Sequence, residues 1–181
     1  MLTDSYVFTQ IMLDYPGPDD ESIRGQWAAL EEMKRDGTTK TLAVSNFSPA
    51  QLDALISIKD ATVPTVNQLP YGVGFGSYYR QRGTSSADVV AANSERGIVV
   101  QAWSPLQRAL RGNAKEACAA IGTKYGKSPA QVALRWIAET GVTFTTAATR
   151  KVDGASARFK ENADIFDFRL TKEELATLAT L

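Results

Sequence analysis

The sequence predicts a parallel α/β fold, and three observations carry that prediction. The first is an alternation of short apolar runs with helical patterns, in the order β-α-β-α-β-α-β-αα-β-α, which is how strands joined by crossover helices read. The second is the chemistry of three strand-to-helix junctions. Thr41–Val44 runs into Ser45-Asn46-Phe47, Pro64–Val66 into Asn67-Gln68, and Ile98–Ala102 into Trp103-Ser104-Pro105-Leu106. The third is a helix start used twice, Ser48-Pro49-Ala50-Gln51 and Ser128-Pro129-Ala130-Gln131. Each is a capping box with proline at the first helical position.

The elements follow in chain order. Tyr6 to Leu13 is aromatic and β-branched and reads as a strand, stopped by Asp14-Tyr15-Pro16-Gly17-Pro18. Ser22 to Arg35 places Ile23, Trp27, Leu30 and Met33 at helical spacing, and Gly37 is suited to end that helix in the left-handed conformation. Thr41 to Val44 is the second strand. The helix opened by Ser48 carries Leu52, Leu55 and Ile56. Pro64 to Gln68 is the third strand, followed by a loop rich in glycine and tyrosine from Tyr71 to Gly83. Ser86 to Arg96 reads as a helix and Ile98 to Ala102 as the fourth strand. Lys115 to Tyr125 is helical. The helix opened by Ser128 puts Val132, Ala133, Trp136 and Ile137 on one face. Val142 to Thr146 is the fifth strand. Thr171-Lys172-Glu173-Glu174 caps a last helix through Leu178.

Composition narrows the function classes. The chain has 181 residues, enough for one domain spanning 1–181, with no sharp boundary and no low-complexity tract. Twenty basic and twenty acidic residues cancel, so nothing suggests a nucleic-acid groove or an anionic membrane surface, which need a clustered excess of Lys and Arg. A single cysteine makes no internal disulfide and fits a reducing compartment. Cys118 lies in an apolar helical stretch and reads as a buried small hydrophobe. The first residues carry no basic n-region, and no apolar run has the length to cross a bilayer. The expectation is a soluble, cytoplasmic protein, with no residue assigned to a metal.

In a parallel α/β protein, side chains just past the carboxyl ends of the strands line the ligand site. Here they are two amides, hydroxyls and an aromatic face, which suit a planar ring bearing a carboxamide. Such a ligand needs donors and acceptors, and Asn and Gln offer both. The competing reading is that the same residues satisfy backbone groups at the strand ends.

These motifs, in this order, resemble the aldo-keto reductase family. Met12-Leu13-Asp14-Tyr15-Pro16 looks like its fourth strand end, and Leu42-Ala43-Val44-Ser45-Asn46-Phe47-Ser48 like its Gly-Val-Ser-Asn-Phe segment. Val66-Asn67-Gln68, Trp103-Ser104-Pro105-Leu106 and Lys127 to Trp136 look like the strand end, turn and helix that follow. Glu161-Asn162 ahead of Phe166-Asp167-Phe168 resembles the segment at the adenine end. The resemblance implies a parallel (β/α) TIM-barrel type fold, represented by an incomplete barrel of about strands 4–8 and their helices, and NADP(H) as cofactor, with NAD left open.

By that resemblance Ser45, Asn46 and Gln68 would bond the nicotinamide carboxamide and Trp103 would stack on the ring. Ser104 and Leu106 would line the pyrophosphate path. Thr149, Arg150 and Lys151 would sit at the 2′-phosphate. Arg158, Glu161 and Asn162 would contact the adenosine, although Arg158 could equally be a surface helix residue. Asp14 and Tyr15 would border the substrate pocket, for a small carbonyl or alcohol. Asp14 stands where the family places a histidine, and the sequence holds no histidine at all. A carboxylate accepts hydrogen bonds but does not donate them, and its charge opposes a developing oxyanion.

The family's catalytic Asp, Tyr and Lys belong to the first half of the barrel, so no catalytic residue is assigned here. The expected role is the cofactor-binding half of an oxidoreductase with little turnover of its own. The alternatives are a non-catalytic nicotinamide-nucleotide-binding or regulatory module, or a scaffold half-barrel. Five strands cannot close an eight-stranded barrel, so open edges would leave the chain a fragment, a self-associating protein or a marginal one.

Overall fold

A computed structural model of the chain describes residues 7–146 and 155–181. The order is β1 (Phe8–Leu13), α1 (Asp20–Arg35), β2 (Thr39–Ser45), α2 (Pro49–Ile56), β3 (Val66–Pro70), α3 (Gly76–Arg80), α4 (Ser86–Ser94), β4 (Val99–Trp103), α5 (Gly112–Tyr125), α6 (Pro129–Glu139), β5 (Thr143–Phe144), α7 (Ala155–Ala163) and α8 (Lys172–Ala179). The strands form one five-stranded sheet in sequence order, β1-β2-β3-β4-β5. The pairs β1–β2, β2–β3 and β4–β5 are parallel. This is the α/β fold the alternation predicts, with a sheet left open at β1 and β5.

The chain divides into two compact units. The first comprises Met1–Leu69 and Val90–Val100 and the second Pro70–Val89 and Gln101–Leu181. Within unit 1, α1 starts because the Asp19 carboxylate accepts the Ser22 amide at 2.8 Å, and Gly37, at φ +84°, carries the chain away from its end. Ile23 and Trp27 on its inner face pack with Leu42, Val44, Phe47, Leu52, Leu55 and Ile98. Burying one indole removes roughly 200 Å² from water, about 5 kcal/mol at ~25 cal/mol/Å². Its polar edge is satisfied as well: Trp27 Nε1 donates to the Thr62 carbonyl at 3.1 Å. Arg96 closes the far side with a two-pronged bond to Asp53, both contacts at 2.7 Å.

Within unit 2 the centre is α6. The sequence puts four residues of this helix on a buried face, but every residue from Gln131 to Ile137 is buried. α5, β5 and α7 pack against it, and its one inward charge is neutralised: Arg135 pairs with Glu139 and donates to the Ile165 carbonyl. Tyr71 stacks on Trp136 at 5.4 Å, and its hydroxyl donates to Thr140 at 3.1 Å. Cys118 on α5 is fully buried, and burial pushes its thiol up to about 11. The Thr171 capping box forms as predicted. Its Glu174 carboxylate accepts the Thr171 amide, the Lys124 ammonium and the Tyr125 hydroxyl.

Four local expectations change. The loop after β3 contains the short helix α3, which Gly74, Gly76 and Gly83 hide from a propensity reading. A helix, α7, runs over Ala155–Ala163, where none was marked. β5 shrinks to Thr143–Phe144, with Thr145 still donating its amide to the Ala102 carbonyl at 3.0 Å. Trp103 closes β4 instead of following it.

Candidate functional site

Unit 1 gathers Ser45, Asn46 and Gln68 at adjoining strand ends. Parallel pairing of β2 with β3 sets Ser45 opposite Gln68. The Asn46 amide then donates to the Gln68 carbonyl at 2.9 Å, and Ser45 Oγ donates to that same oxygen at 3.2 Å. Asn46 Nδ2 donates to Ser45 Oγ at 2.8 Å. Asn46 sits at φ +63°, a left-handed geometry that asparagine tolerates better than most residues. Ser45 is buried, while Asn46 and Gln68 keep part of their surface accessible. The strand-end role weighed in the sequence is therefore present for Ser45. The partly exposed amides of Asn46 and Gln68 supply mixed donors and acceptors past the strands.

The sequence reasoning missed what holds this corner. Asn67 is fully buried. Its Nδ2 donates to the Phe47 carbonyl at 2.9 Å and to Asn93 Oδ1 at 3.0 Å, and its Oδ1 accepts the Phe47 amide at 3.3 Å. Phe47 is the next residue after Asn46, so this clamp fixes the turn that carries Asn46. Alternation along a strand sends Asn67 and Gln68 to opposite faces. That signal was readable in the Asn-Gln pair.

Unit 2 holds two neighbouring concavities. Trp103, Ser104, Pro105, Leu106, Gln107, Thr145 and Thr146 line one of about 620 Å³. Ser104, at φ +50°, repeats just past β4 the left-handed step that Asn46 makes just past β2. Leu106 also borders a second concavity of about 550 Å³ with Lys115, Ser128, Arg158, Glu161 and Asn162. The structure thus brings Trp103, Ser104 and Leu106 together, and Leu106, Arg158 and Asn162 together. Lys115, Ser128 and the two threonines border these concavities although the sequence offered none of them as site residues. Arg158 does lie on a helix surface and is exposed, yet it borders the concavity.

Asp14 and Tyr15 follow β1 and are exposed, Tyr15 at 62%. They border neither of these two concavities. Thr149, Arg150 and Lys151 lie outside the described residues. Among the described residues no cluster of His, Cys, Asp and Glu could hold a metal ion, and no helix is long and apolar enough to cross a membrane.

A parallel α/β sheet with polar and aromatic residues at its strand ends and concavities beside its βα turns is of the class whose members place ligand sites at the carboxyl edge of the strands. The chain belongs to the aldo/keto reductase family, whose model matches residues 4–181. It is 34% identical over 172 residues to a glyoxal reductase of Bacillus subtilis (strain 168), covering 94% of this chain and 55% of that protein. It is 34% identical over 165 residues to a D-galacturonate reductase of Fragaria ananassa, covering 88% and 47%.

Solved structures agree. An aldo/keto reductase from Brucella melitensis superimposes with a TM-score of 0.78 at 28% identity, over 96% of this chain and 60% of that one. An aldo-keto reductase complexed with NADPH gives 0.75 at 30% identity, over 96% and 54%. The chain spans about half the length of the curated relatives it matches.

Proposed function

We propose that this chain, acting as one aldo-keto-reductase-like domain, supplies the NADP(H)-binding part of an oxidoreductase that interconverts small carbonyls and alcohols. The observation that carries the proposal is the clamped corner at Ser45, Asn46 and Gln68. Its amides have the donors and acceptors that a carboxamide requires, and the Asn67 clamp holds the turn they sit on. Such a group, when bound, supplies hydride chemistry at its ring. The protein's contribution is orientation. Asn46 and Gln68 hold the carboxamide with Ser45 bridging them, and Trp103 presents an aromatic face.

Ser104 and Leu106 let the backbone approach a pyrophosphate, and Arg158 and Asn162 meet the adenosine, with Lys115 adding a second cation there. Arg150 and Lys151 are the proposed 2′-phosphate partners. The glyoxal and galacturonate reductases among the relatives support a small carbonyl substrate, with Asp14 and Tyr15 on the substrate side.

Asp14 favours a second reading, a nucleotide-binding module without turnover, because a carboxylate there offers no donor to a carbonyl oxygen. Titration of the chain with NADPH, followed by tryptophan fluorescence, tests both. Saturable binding is expected, weakened about tenfold by Asn46→Ala or Gln68→Ala, roughly one charge-free hydrogen bond lost each. Absence of binding removes the proposal. Oxidation of bound NADPH in the presence of glyoxal rejects the module, whereas binding without oxidation is expected on both readings. Self-association through the outer strand β1, where Phe8 is 57% exposed, is part of the same proposal, and light scattering that returns a monomer rejects it.

A further inference from the structure

Arg80, Arg108 and Arg111 line one concavity of about 600 Å³ within unit 2, together with Gly74, Gln107 and Asn113. Ala114, Thr180 and Leu181 complete the lining, with the main-chain carboxyl of Leu181 close to Arg80. Among the described residues no Asp or Glu borders the concavity, and no Asp or Glu pairs with the three guanidinium groups.

Two of the three arginines are held in place by contacts that involve no Asp or Glu side chain. Arg80 Nη1 donates to the Thr180 carbonyl at 3.1 Å. The Arg108 guanidinium lies 4.8 Å from the centre of the Phe75 ring and 5.9 Å from that of Tyr78. Stacking of this kind orients a guanidinium and keeps its N–H edge available.

Gly74 makes that placement possible. At φ +88°, a Cβ there would lie 2.9 Å from Arg108 Cβ, so only glycine lets the two segments meet this closely. The concavity also takes in Asn113 and Ala114, in the first turn of α5, whose cap residue Arg111 makes no side-chain capping bond. The positive end of the helix dipole adds to the three charges.

We propose that this concavity binds a small, multiply charged anion through phosphate or carboxylate groups. The site contains none of the residues proposed for the dinucleotide and shares only Gln107 with the linings of the two concavities those residues border. It does not depend on that assignment.

Isothermal titration of the full chain with sodium pyrophosphate, and separately with citrate, tests the proposal and distinguishes the two chemistries. At least one of the two is expected to bind, more weakly as salt rises, because exposed charges are screened. Arg108→Gln and Arg111→Gln should each weaken that binding about tenfold, the scale of one charge-assisted contact. Arg24→Gln, an exposed arginine on α1, should leave it unchanged. Saturating NADPH should leave it unchanged too. The proposal is overturned if neither anion binds the wild-type chain, a result that depends on no variant folding. It is equally overturned if NADPH displaces the anion, or if both glutamine variants retain wild-type affinity with an unaltered circular dichroism spectrum.

Discussion

Replacing Asn67 with alanine removes three hydrogen bonds at once, two of them from the Phe47 backbone amide and carbonyl. The bonds run to the Phe47 carbonyl, the Phe47 amide and Asn93 Oδ1. Asn67 is 0% exposed and Asn93 1%, so little water can replace what is lost. At ~1 kcal/mol net per bond the loss is about 3 kcal/mol, and stranded buried polar groups add to it. Against a typical stability of about 5–15 kcal/mol, that is a large fraction.

Urea denaturation is the assay. With a slope of about 2 kcal/mol/M, the midpoint should fall by roughly 1.5 M. Asn67→Asp keeps the acceptor for the Phe47 amide but loses both donor bonds, and it introduces a buried charge, so it should be no milder than alanine. NADPH affinity should fall in parallel, because the turn bearing Asn46 is released. A midpoint shift under about 0.5 M for the alanine variant, with the slope unchanged, would refute the idea that this amide clamp holds the corner.

Other outcomes follow from the same structure. Burial acts to raise the Glu174 carboxyl, but the bonds from Lys124, Thr171 and Tyr125 outweigh it and hold the group below its ordinary value of 4.5. A lowered carboxylate stabilises above its unfolded pKa, and that contribution is lost as pH falls through the folded one. Glu174→Gln should therefore cost about 1–3 kcal/mol at pH 7 and flatten the decline in melting temperature below about pH 4.5, and a decline as steep as wild type would count against the carboxylate. Cys118, buried and with its thiol raised to about 11, should react with a thiol reagent only as fast as the protein opens; prompt labelling of the native protein would contradict its placement. Ser104→Val forces a β-branched residue into the left-handed region and should cost about 1–2 kcal/mol, some 2–8 °C in melting temperature. An unchanged melting curve would show that the backbone there relaxes.

The parallel order of elements was legible because strand and helix periods differ and because the caps are written out in Ser48, Ser128 and Thr171. Helix α3 was not, since Gly74, Gly76 and Gly83 argue for a loop and the packing of Phe75 and Tyr79 overrides them. The strand-end amides were legible as chemistry. The division of labour between Asn67, facing inward, and Gln68 was readable only from alternation, and the partner Asn93 lies 26 residues away on a helix. Arg80, Arg108 and Arg111 are scattered over 32 positions of sequence, so no local pattern could have grouped them; only folding brings them to one concavity. Asp14 was conspicuous as a departure from a family pattern, but its exposed position past β1 needed coordinates.

The tetrapeptide Ser-Pro-Ala-Gln occurs once in each unit, and the two copies amount to a replicate experiment performed by the chain itself. Ser48 adopts φ −75° and ψ 161°, Ser128 φ −72° and ψ 160°, and both glutamines return the same reciprocal bonds. The surroundings differ sharply: α2 buries two of its eight residues, whereas α6 buries seven of eleven. Geometry that repeats to within a few degrees in such different settings is dictated from inside the four residues. The motif is consequently transplantable. Moved ahead of an unrelated helix, it should start that helix at the same residue and the same angle, independent of what the helix packs against.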